Sequence, residues 1–378
     1  MVDFRLAARS REAAASPSVA SGPLRAAEVP TQRSSFVAAS RGQVGPIGWT
    51  LHIRGVLVVV ATFAGLATIS GPAAPADASV ARHRPALLLS DGPVSDGPFA
   101  DPSVLIVGST YYAYSTNTGG ENVPVVESPD LVHWSDVGDA MPLLPPWVQG
   151  GFTWSPSVAV DPAGGYELFY TAYDPSKQHE CIGRATGPSP LGPFVDPASQ
   201  PFLCQTEMGG AIDPSVYETP GADYLVWKSD GETGQTKEIR AQRLGRGDRD
   251  LVGPSATLQV PDQEWEGANI EGPALASIDG ITYLFFSGND WTSPNYAVGS
   301  VECSSPLGPC NPAGAAPMLG STATAHGPGS PDVFDVGDHA LLAYSAVSGG
   351  SREGLGDQRR LYVTELSVEG GGAISVSG

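Results

Sequence analysis

Apolar and polar positions in this chain follow a long repeat. A four-residue motif, Asp-Pro-Ser-Val or a close variant, recurs every 54 to 59 residues, and a short aromatic and β-branched run follows each copy. The motif copies occupy residues 101–104, 155–158, 213–216, 272–275 and 330–333, and the runs occupy 111–114, 168–171, 224–227, 283–286 and 341–344. A fixed period of this size, filled with strands and turns, indicates a β-propeller. Five copies predict five blades.

The rest of the pattern agrees with an all-β fold. No sustained helical periodicity occurs beyond the N-terminal region. The 47 glycines and 35 prolines fall between the apolar runs, as turn residues do. We therefore predict a five-bladed β-propeller over residues 96–378, preceded by a linker over residues 79–95.

Residues 1–78 have a different character, with seven arginines against four acids. Arg54 precedes an apolar segment over residues 55–69, and Ala76-Asp77-Ala78 supplies small residues where signal peptidase cleaves. A charged flank, a short apolar core and such a site are typical of a secretory signal. The alternative is a membrane anchor, which usually needs ~20 apolar residues. We predict a secreted protein, cleaved near Ala78 and then free of the membrane.

The charge balance excludes some partners. The chain carries 20 basic and 40 acidic side chains, a net charge of −20. Such an acidic protein is unsuited to nucleic acid or an anionic membrane surface. A neutral polysaccharide or oligosaccharide is compatible with it, although acidity serving only solubility explains the composition equally well.

Four cysteines, all after residue 78, fit an oxidising compartment. They allow three pairings. We favour Cys181–Cys204 and Cys303–Cys310, because each pair closes a local loop at a comparable place in its repeat. A zinc site is disfavoured because no C-x₂-C pair occurs.

Acidic residues occur in or beside three copies of the motif: Asp101, Asp213 and Glu271. The innermost strands of a propeller surround one central channel, so residues from these three strands should converge. Ser155 and Ser330 take the corresponding place in the other two blades. Three carboxylates in one funnel suit glycosidic bond cleavage, with one acid, one base and a third group that shifts a pKa.

A structural role for these acids competes with that hypothesis. An Asp before Pro commonly caps a turn by accepting backbone N–H bonds. Glu271 is the stronger evidence for function, since Glu caps poorly. Apolar surroundings beside Ile270 should raise the pKa of Glu271, as a general acid requires.

The motifs taken together resemble glycoside hydrolase family 43. The resemblance rests on residues 100–104, 154–158, 212–216 and 270–275, and on the Ser-Pro-Leu-Gly-Pro-Phe turn at 189–194. That family contains inverting enzymes that release arabinofuranosyl or xylosyl units from plant polysaccharides. By this resemblance Asp101 is the general base, Glu271 the general acid, and Asp213 the residue that tunes and orients Glu271.

The resemblance also suggests ligand-binding residues. Phe152, Trp154 and Ser155, around the second motif, are expected to contact the sugar. His326, just before the fifth motif, is the candidate for a histidine at the channel centre that accompanies a structural calcium ion. No cofactor is expected for the chemistry itself. The family's sugar-binding arginine is left open among Arg352, Arg359 and Arg360.

Other functions stay open. One is a catalytically inactive sugar-binding propeller, although such a protein should have lost at least one of the three acids. Another is a β-fructosidase-like hydrolase, disfavoured because no Asn-Asp-Pro or Arg-Asp-Pro motif is present. The sequence ends just after blade five, without the β-sandwich of the family's xylosidases, which favours arabinan as the substrate. We expect a monomer.

Overall fold

A computed structural model describes residues 87–231, 235–246, 249–349, 358–370 and 372–376. The expected signal segment and its cleavage site near Ala78 lie outside these residues, as does Arg352. The described chain forms five antiparallel sheets arranged as a propeller. Its helices are two short 3₁₀ turns, Thr206–Met208 and Glu264–Glu266. The predicted all-β, five-bladed fold is confirmed.

Each blade is one sheet of strands that are consecutive in the chain. The strands are, in blade 1, β1 (Ser103–Val107), β2 (Thr110–Tyr114), β3 (Pro124–Ser128) and β4 (Ser135–Asp139); in blade 2, β5 (Thr153–Val160), β6 (Tyr166–Asp174) and β7 (His179–Gly187); in blade 3, β8 (Ala211–Glu218), β9 (Asp223–Ser229), β10 (Glu238–Leu244) and β11 (Leu251–Gln259); in blade 4, β12 (Ile270–Ile278), β13 (Ile281–Gly288) and β14 (Ala297–Cys303); and in blade 5, β15 (Ala325–Val336), β16 (His339–Ser348), β17 (Arg359–Val368) and β18 (Ile374–Val376).

Blades 2 and 4 have three strands and carry the two disulfides. Cys181–Cys204 ties an irregular segment to β7, and Cys303–Cys310 ties another to β14. Each segment takes the outer place that a fourth strand fills in the other blades. Both predicted pairings are present.

The hydrophobic core lies between the blades. Each cluster of buried apolar side chains joins two neighbouring blades, for example Leu284 with Leu275 and Ile239 across blades 4 and 3. Because each blade lies between two others, both faces of its middle strands are buried. Leu284, Phe285 and Phe286 are therefore all fully buried in succession. Each such side chain contributes roughly 1.5–3 kcal/mol by leaving water.

Polar side chains link neighbouring innermost strands across blade boundaries. Ser103 Oγ in blade 1 accepts a hydrogen bond from the backbone N–H of Val158 in blade 2 (3.3 Å). Asp332 in blade 5 makes a similar contact with blade 1, since its Oδ2 accepts from the N–H of Val104 (2.6 Å). Burial raises the pKa of Asp332 to about 7.

The two ends of the propeller meet on blade 5. The N–H groups of Val94 and Phe99 donate to carbonyls of Leu361 and Arg359 at the start of β17 (2.8 and 2.7 Å). β18 pairs with the other end of the same strand. The described part of the predicted linker, residues 87–95, thus packs along blade 5.

Within the described ranges, no helix has the length and apolar character needed to cross a membrane.

Candidate active site

A cavity of about 710 Å³ opens at the centre of the propeller, with residues from all five blades in its wall. The three predicted carboxylates, Asp101, Asp213 and Glu271, all line it, together with Lys228 and Arg359. The acids predicted to converge from three different blades therefore lie in one cavity.

A backbone conformation that recurs in every blade orients these side chains. The residue before the motif proline has a positive φ in every blade: 53° at Asp101, 43° at Ser155, 53° at Asp213, 56° at Gly272 and 53° at Ser330. This left-handed region is disfavoured for residues with a Cβ, and short polar side chains tolerate it best. The pairing with the second strand shifts register just after this residue in blades 2 to 5. The bulge breaks the normal alternation of side chains.

Glu271 lies one residue earlier in its repeat than the two aspartates. The positive-φ position in blade 4 is Gly272, so Glu271 corresponds to Trp154 in blade 2 and Ile212 in blade 3, which also line the cavity. A Cβ at residue 272 would lie 3.1 Å from the Cα of Ser330, so there is little room for a side chain there. The bulge thus lets two consecutive positions face the same cavity.

Asp101 is held from three sides. Its Oδ1 accepts from Ser330 Oγ (2.6 Å) and Arg359 Nη1 (2.8 Å), and its Oδ2 accepts from Thr116 Oγ1 (2.5 Å). These donors fix the orientation of the carboxylate at the cavity wall.

Asp213 has hydrogen bonds but no ion pair among the described residues. Ser155 Oγ donates to its Oδ1 (2.8 Å) and the N–H of Gly272 donates to its Oδ2 (2.9 Å). Burial and the nearby charge of Glu271 raise the pKa of Asp213 to about 6.

Glu271 is paired with a lysine. Lys228 Nζ lies 2.9 Å from its Oε2, and the hydroxyl of Tyr296 donates to its Oε1 (2.9 Å). Burial raises the pKa of Glu271, but the charge of Lys228 and hydrogen bonds from Asn269, Lys228 and Tyr296 outweigh burial, so the pKa is lowered. The expectation of a raised pKa for Glu271 is wrong, because Lys228, which is distant in sequence from Ile270, stabilises the ionised carboxylate.

Three aromatic rings contribute to the wall. Phe152 and Trp154, the two predicted sugar contacts, line the cavity with their ring centroids 6.0 Å apart. Trp291 also lines it and is 43% exposed, with the Arg359 guanidinium 5.3 Å from its ring centroid. Ser155, the third predicted contact, lies in the wall with its hydroxyl directed at Asp213.

His326 is half-buried in β15 and is not among the residues that line the cavity. The described residues contain no group of three or more His, Cys, Asp or Glu side chains that could hold a metal ion. Calcium near His326 stays a prediction.

Several site residues had no signal in the motif repeat. Lys228 stands at the end of the third aromatic run, where it reads as a polar residue that terminates a strand. Tyr296 and Thr116 lie outside the motifs. Arg359, one of three arginines considered, is the one in contact with Asp101. Comparing each blade's second strand near its end would have pointed to Thr116 and Lys228, since these strands run beside the motif strands.

The fold and the cavity define a five-bladed propeller with three central carboxylates. The sequence profile of glycosyl hydrolases family 43 matches residues 90–370. The chain belongs to this family.

Relatives and solved structures agree. The chain is 26% identical over 257 residues to an arabinoxylan arabinofuranohydrolase of Bacillus subtilis, covering 56% of this chain and 48% of that protein. It is 24% identical over 257 residues to the β-D-galactofuranosidase xynD of Aspergillus niger, covering 64% and 72%. A thermostable family-43 glycoside hydrolase superposes with a TM-score of 0.68 at 26% identity, covering 77% and 96%. The match thus spans about half the length of the Bacillus relative.

Proposed function

We propose that this protein is a secreted glycoside hydrolase that cleaves arabinofuranosyl or xylosyl linkages of plant polysaccharides with inversion of configuration. The observation that carries this proposal is the convergence of Asp101, Asp213 and Glu271 in one cavity flanked by aromatic rings. Two relatives are an arabinofuranohydrolase and a galactofuranosidase, which supports a furanosyl substrate. The two disulfides support action in an oxidising compartment.

The proposed roles follow from the contacts of each acid. Asp101, held by three donors, takes a proton from a water molecule as that water attacks the anomeric carbon. Glu271 gives a proton to the leaving oxygen as the glycosidic bond breaks. Asp213, next to Glu271 in space through Gly272, keeps a negative charge near it that raises its pKa. Attack from the face opposite the leaving group inverts the configuration.

The neighbouring side chains bind and orient. Phe152 and Trp154 offer apolar faces to the sugar ring, and Trp291 offers another on the side of Arg359. Arg359 lines the cavity, and its Nη1 donates to Asp101 there.

The test uses the purified protein on linear arabinan, branched arabinan, arabinoxylan and aryl glycosides, with the first anomer followed by proton NMR. We expect hydrolysis of at least one polymer with inversion. The pattern of products decides between arabinan, which we favour, and arabinoxylan.

Substitution of the acid completes the test. Glu271→Ala should lose polymer hydrolysis by about 10²–10⁴-fold and retain activated aryl glycosides, whose leaving group needs no proton. Glu264→Ala, an exposed Glu shortly before the same strand, is the matched control and should behave as wild type. Retention of configuration, or equal loss on both substrate types, contradicts the assignment.

A further inference from the structure

Lys228 is a buried lysine at the cavity wall with two carboxylates in reach. It lies in β9, and its side chain is 2% exposed. Its Nζ is 2.9 Å from Glu271 Oε2 and 3.5 Å from Asp230 Oδ1. Both carboxylates line the same cavity. An ammonium group has three donors and no acceptor, so its position depends on which acceptors are available.

The pairing conflicts with the proposed role of Glu271. A general acid must carry a proton, but an ammonium ion at 2.9 Å stabilises the ionised carboxylate. The contact with Lys228 therefore favours the ionised form of Glu271, which has no proton to donate. Some change on substrate binding has to reverse this.

The charged surroundings of Glu271 identify the group that changes. Lys228 is the cation in direct contact with it; the titratable groups acting on this cluster from farther away are Asp101, Asp213, Asp230, Lys237, Asp290 and Arg359. Tyr296 contacts the other oxygen as a neutral donor, because burial raises its pKa well above the ordinary value. A change in the position of Lys228 therefore changes the pKa of Glu271 more than a change in any other neighbouring charge does.

The two carboxylate oxygens of Glu271 have partners of different kinds. Oε1 accepts from the hydroxyl of Tyr296, a buried ring. Oε2 is held by Lys228, whose flexible four-carbon side chain has Asp230 as a second acceptor. A leaving-group oxygen that approaches Glu271 competes with Lys228 for Oε2.

Building on the proposed function, we propose that Lys228 is a positioning residue that switches Glu271 between two states by moving its ammonium group between Glu271 and Asp230. In the first state Lys228 pairs with Glu271, which is ionised. With a leaving-group sugar bound, Lys228 moves toward Asp230, and Glu271 takes up one proton from solvent, which it then gives to the leaving oxygen. Asp213 supports the second state through its negative charge.

The test compares two pH profiles on an oligosaccharide with a poor leaving group. The profile of kcat/KM reports the free enzyme and that of kcat the substrate complex. In wild type, the alkaline limb of kcat should lie at higher pH than that of kcat/KM. In Lys228→Met the limb of kcat/KM should rise by about one pH unit or more, so that the two limbs coincide. Lys228→Arg, which keeps the charge, should restore the separation.

A second variant tests the other end of the movement. Asp230→Asn removes the alternative partner, so the alkaline limb of kcat should fall toward that of kcat/KM. Both shifts should be absent with an activated aryl glycoside, which needs no proton; a merely structural effect would appear with both substrates. The proposal would be overturned if the alkaline limbs of kcat and kcat/KM coincided in wild type. It would also be overturned if both limbs of Lys228→Met lay at the same pH as in wild type.

A measurement without substrate separates this inference from the proposed function. In a ¹³C NMR titration of glutamate carboxyl groups, with Glu271 assigned through Glu271→Gln, Glu271 of the wild-type protein should be ionised throughout pH 5–8. In Lys228→Met it should titrate at a higher pH than in wild type. A wild-type Glu271 that is protonated at pH 6 would refute the switch, whatever substrates are cleaved. A protein that hydrolyses no glycoside but shows the expected titration would refute only the proposed function.

Discussion

Two clusters of buried charged side chains in this propeller differ in whether each carboxylate has a cationic partner. Between blades 2 and 3, Arg249 pairs with both Glu167 and Asp223, and all three side chains are at most 2% exposed. Arg184 adds a second pair to Glu167 (3.2 Å) and Arg246 a second pair to Asp223 (2.9 Å). Every carboxylate there has a cation.

The cluster in the cavity has more acids than cations. Lys228 pairs with Glu271 and Arg359 pairs with Asp101, but no cation contacts Asp213 among the described residues. The pKa of Asp213 is raised to about 6 by burial and by the charge of Glu271. A complete set of ion pairs serves structure, whereas one carboxylate in excess leaves a group that titrates near neutral pH. Such groups mark functional sites.

The largest expected effect is a loss of activity when an acid of the cavity cluster is substituted. Asp101→Ala removes the proposed base and should lower hydrolysis of polymers and aryl glycosides alike by about 10²–10⁴-fold. The melting temperature should also fall, because Arg359 loses its buried carboxylate partner, so activity is compared per folded molecule. Kinetics and thermal unfolding of the same preparation check this. Activity within tenfold of wild type would refute the role of Asp101.

The next effect concerns stability. Arg249→Met leaves Glu167 and Asp223 buried without their shared partner, which should cost about 3–5 kcal/mol. For a domain of this size that corresponds to a fall in Tm of about 10 °C. The rate per folded molecule should be unchanged.

Arg246→Met is the matched control for Arg249→Met, because Arg246 is 46% exposed and joins the same network. An exposed pair contributes about 0–1 kcal/mol. If both variants lost the same stability, the difference in burial would not explain the behaviour of the network.

A smaller effect tests the unpaired acid. Asp213→Asn removes a negative charge near Glu271, which lowers the pKa of Glu271, so the alkaline limb of the rate profile should move to lower pH by about one unit. The profile on a substrate with a poor leaving group measures this. A shift to higher pH would mean that Asp213 does not act on Glu271 through its charge.

The smallest effect concerns Asp332, whose pKa burial raises to about 7. A raised pKa in the folded state gives a contribution to stability that is present at low pH and is lost as pH rises toward 7. Asp332→Asn lacks this titration. Its Tm relative to wild type should therefore rise by about 5 °C between pH 5 and pH 8. The exposed Asp338→Asn is the control and should show no such trend.

The sequence predicted what the repeat encodes. Five motif copies set the number of blades, and two of the three acids stand directly on the repeated position, so their convergence followed from topology. The disulfides Cys181–Cys204 and Cys303–Cys310 were also accessible, because each closes a loop within one blade.

The rest of the site depends on contacts between blades, which no local pattern contains. Lys228 reaches Glu271 across the interface between blades 3 and 4, and Arg359 reaches Asp101 from blade 5 to blade 1. The lowered pKa of Glu271 follows from the first of these contacts. This lowered pKa could not be predicted from Ile270 and the other residues adjacent to Glu271 in sequence.

The ring of positive-φ residues has a consequence for how such enzymes diverge. Ser155 and Ser330 adopt the same backbone conformation as Asp101 and Asp213. In evolutionary terms, a repeat can gain or lose a carboxylate by substitution at this one position while its backbone stays the same. At this position the two serines donate hydrogen bonds to the two aspartates. One backbone position, repeated in every blade, therefore places two of the three cavity acids and the two hydroxyl groups that donate to them.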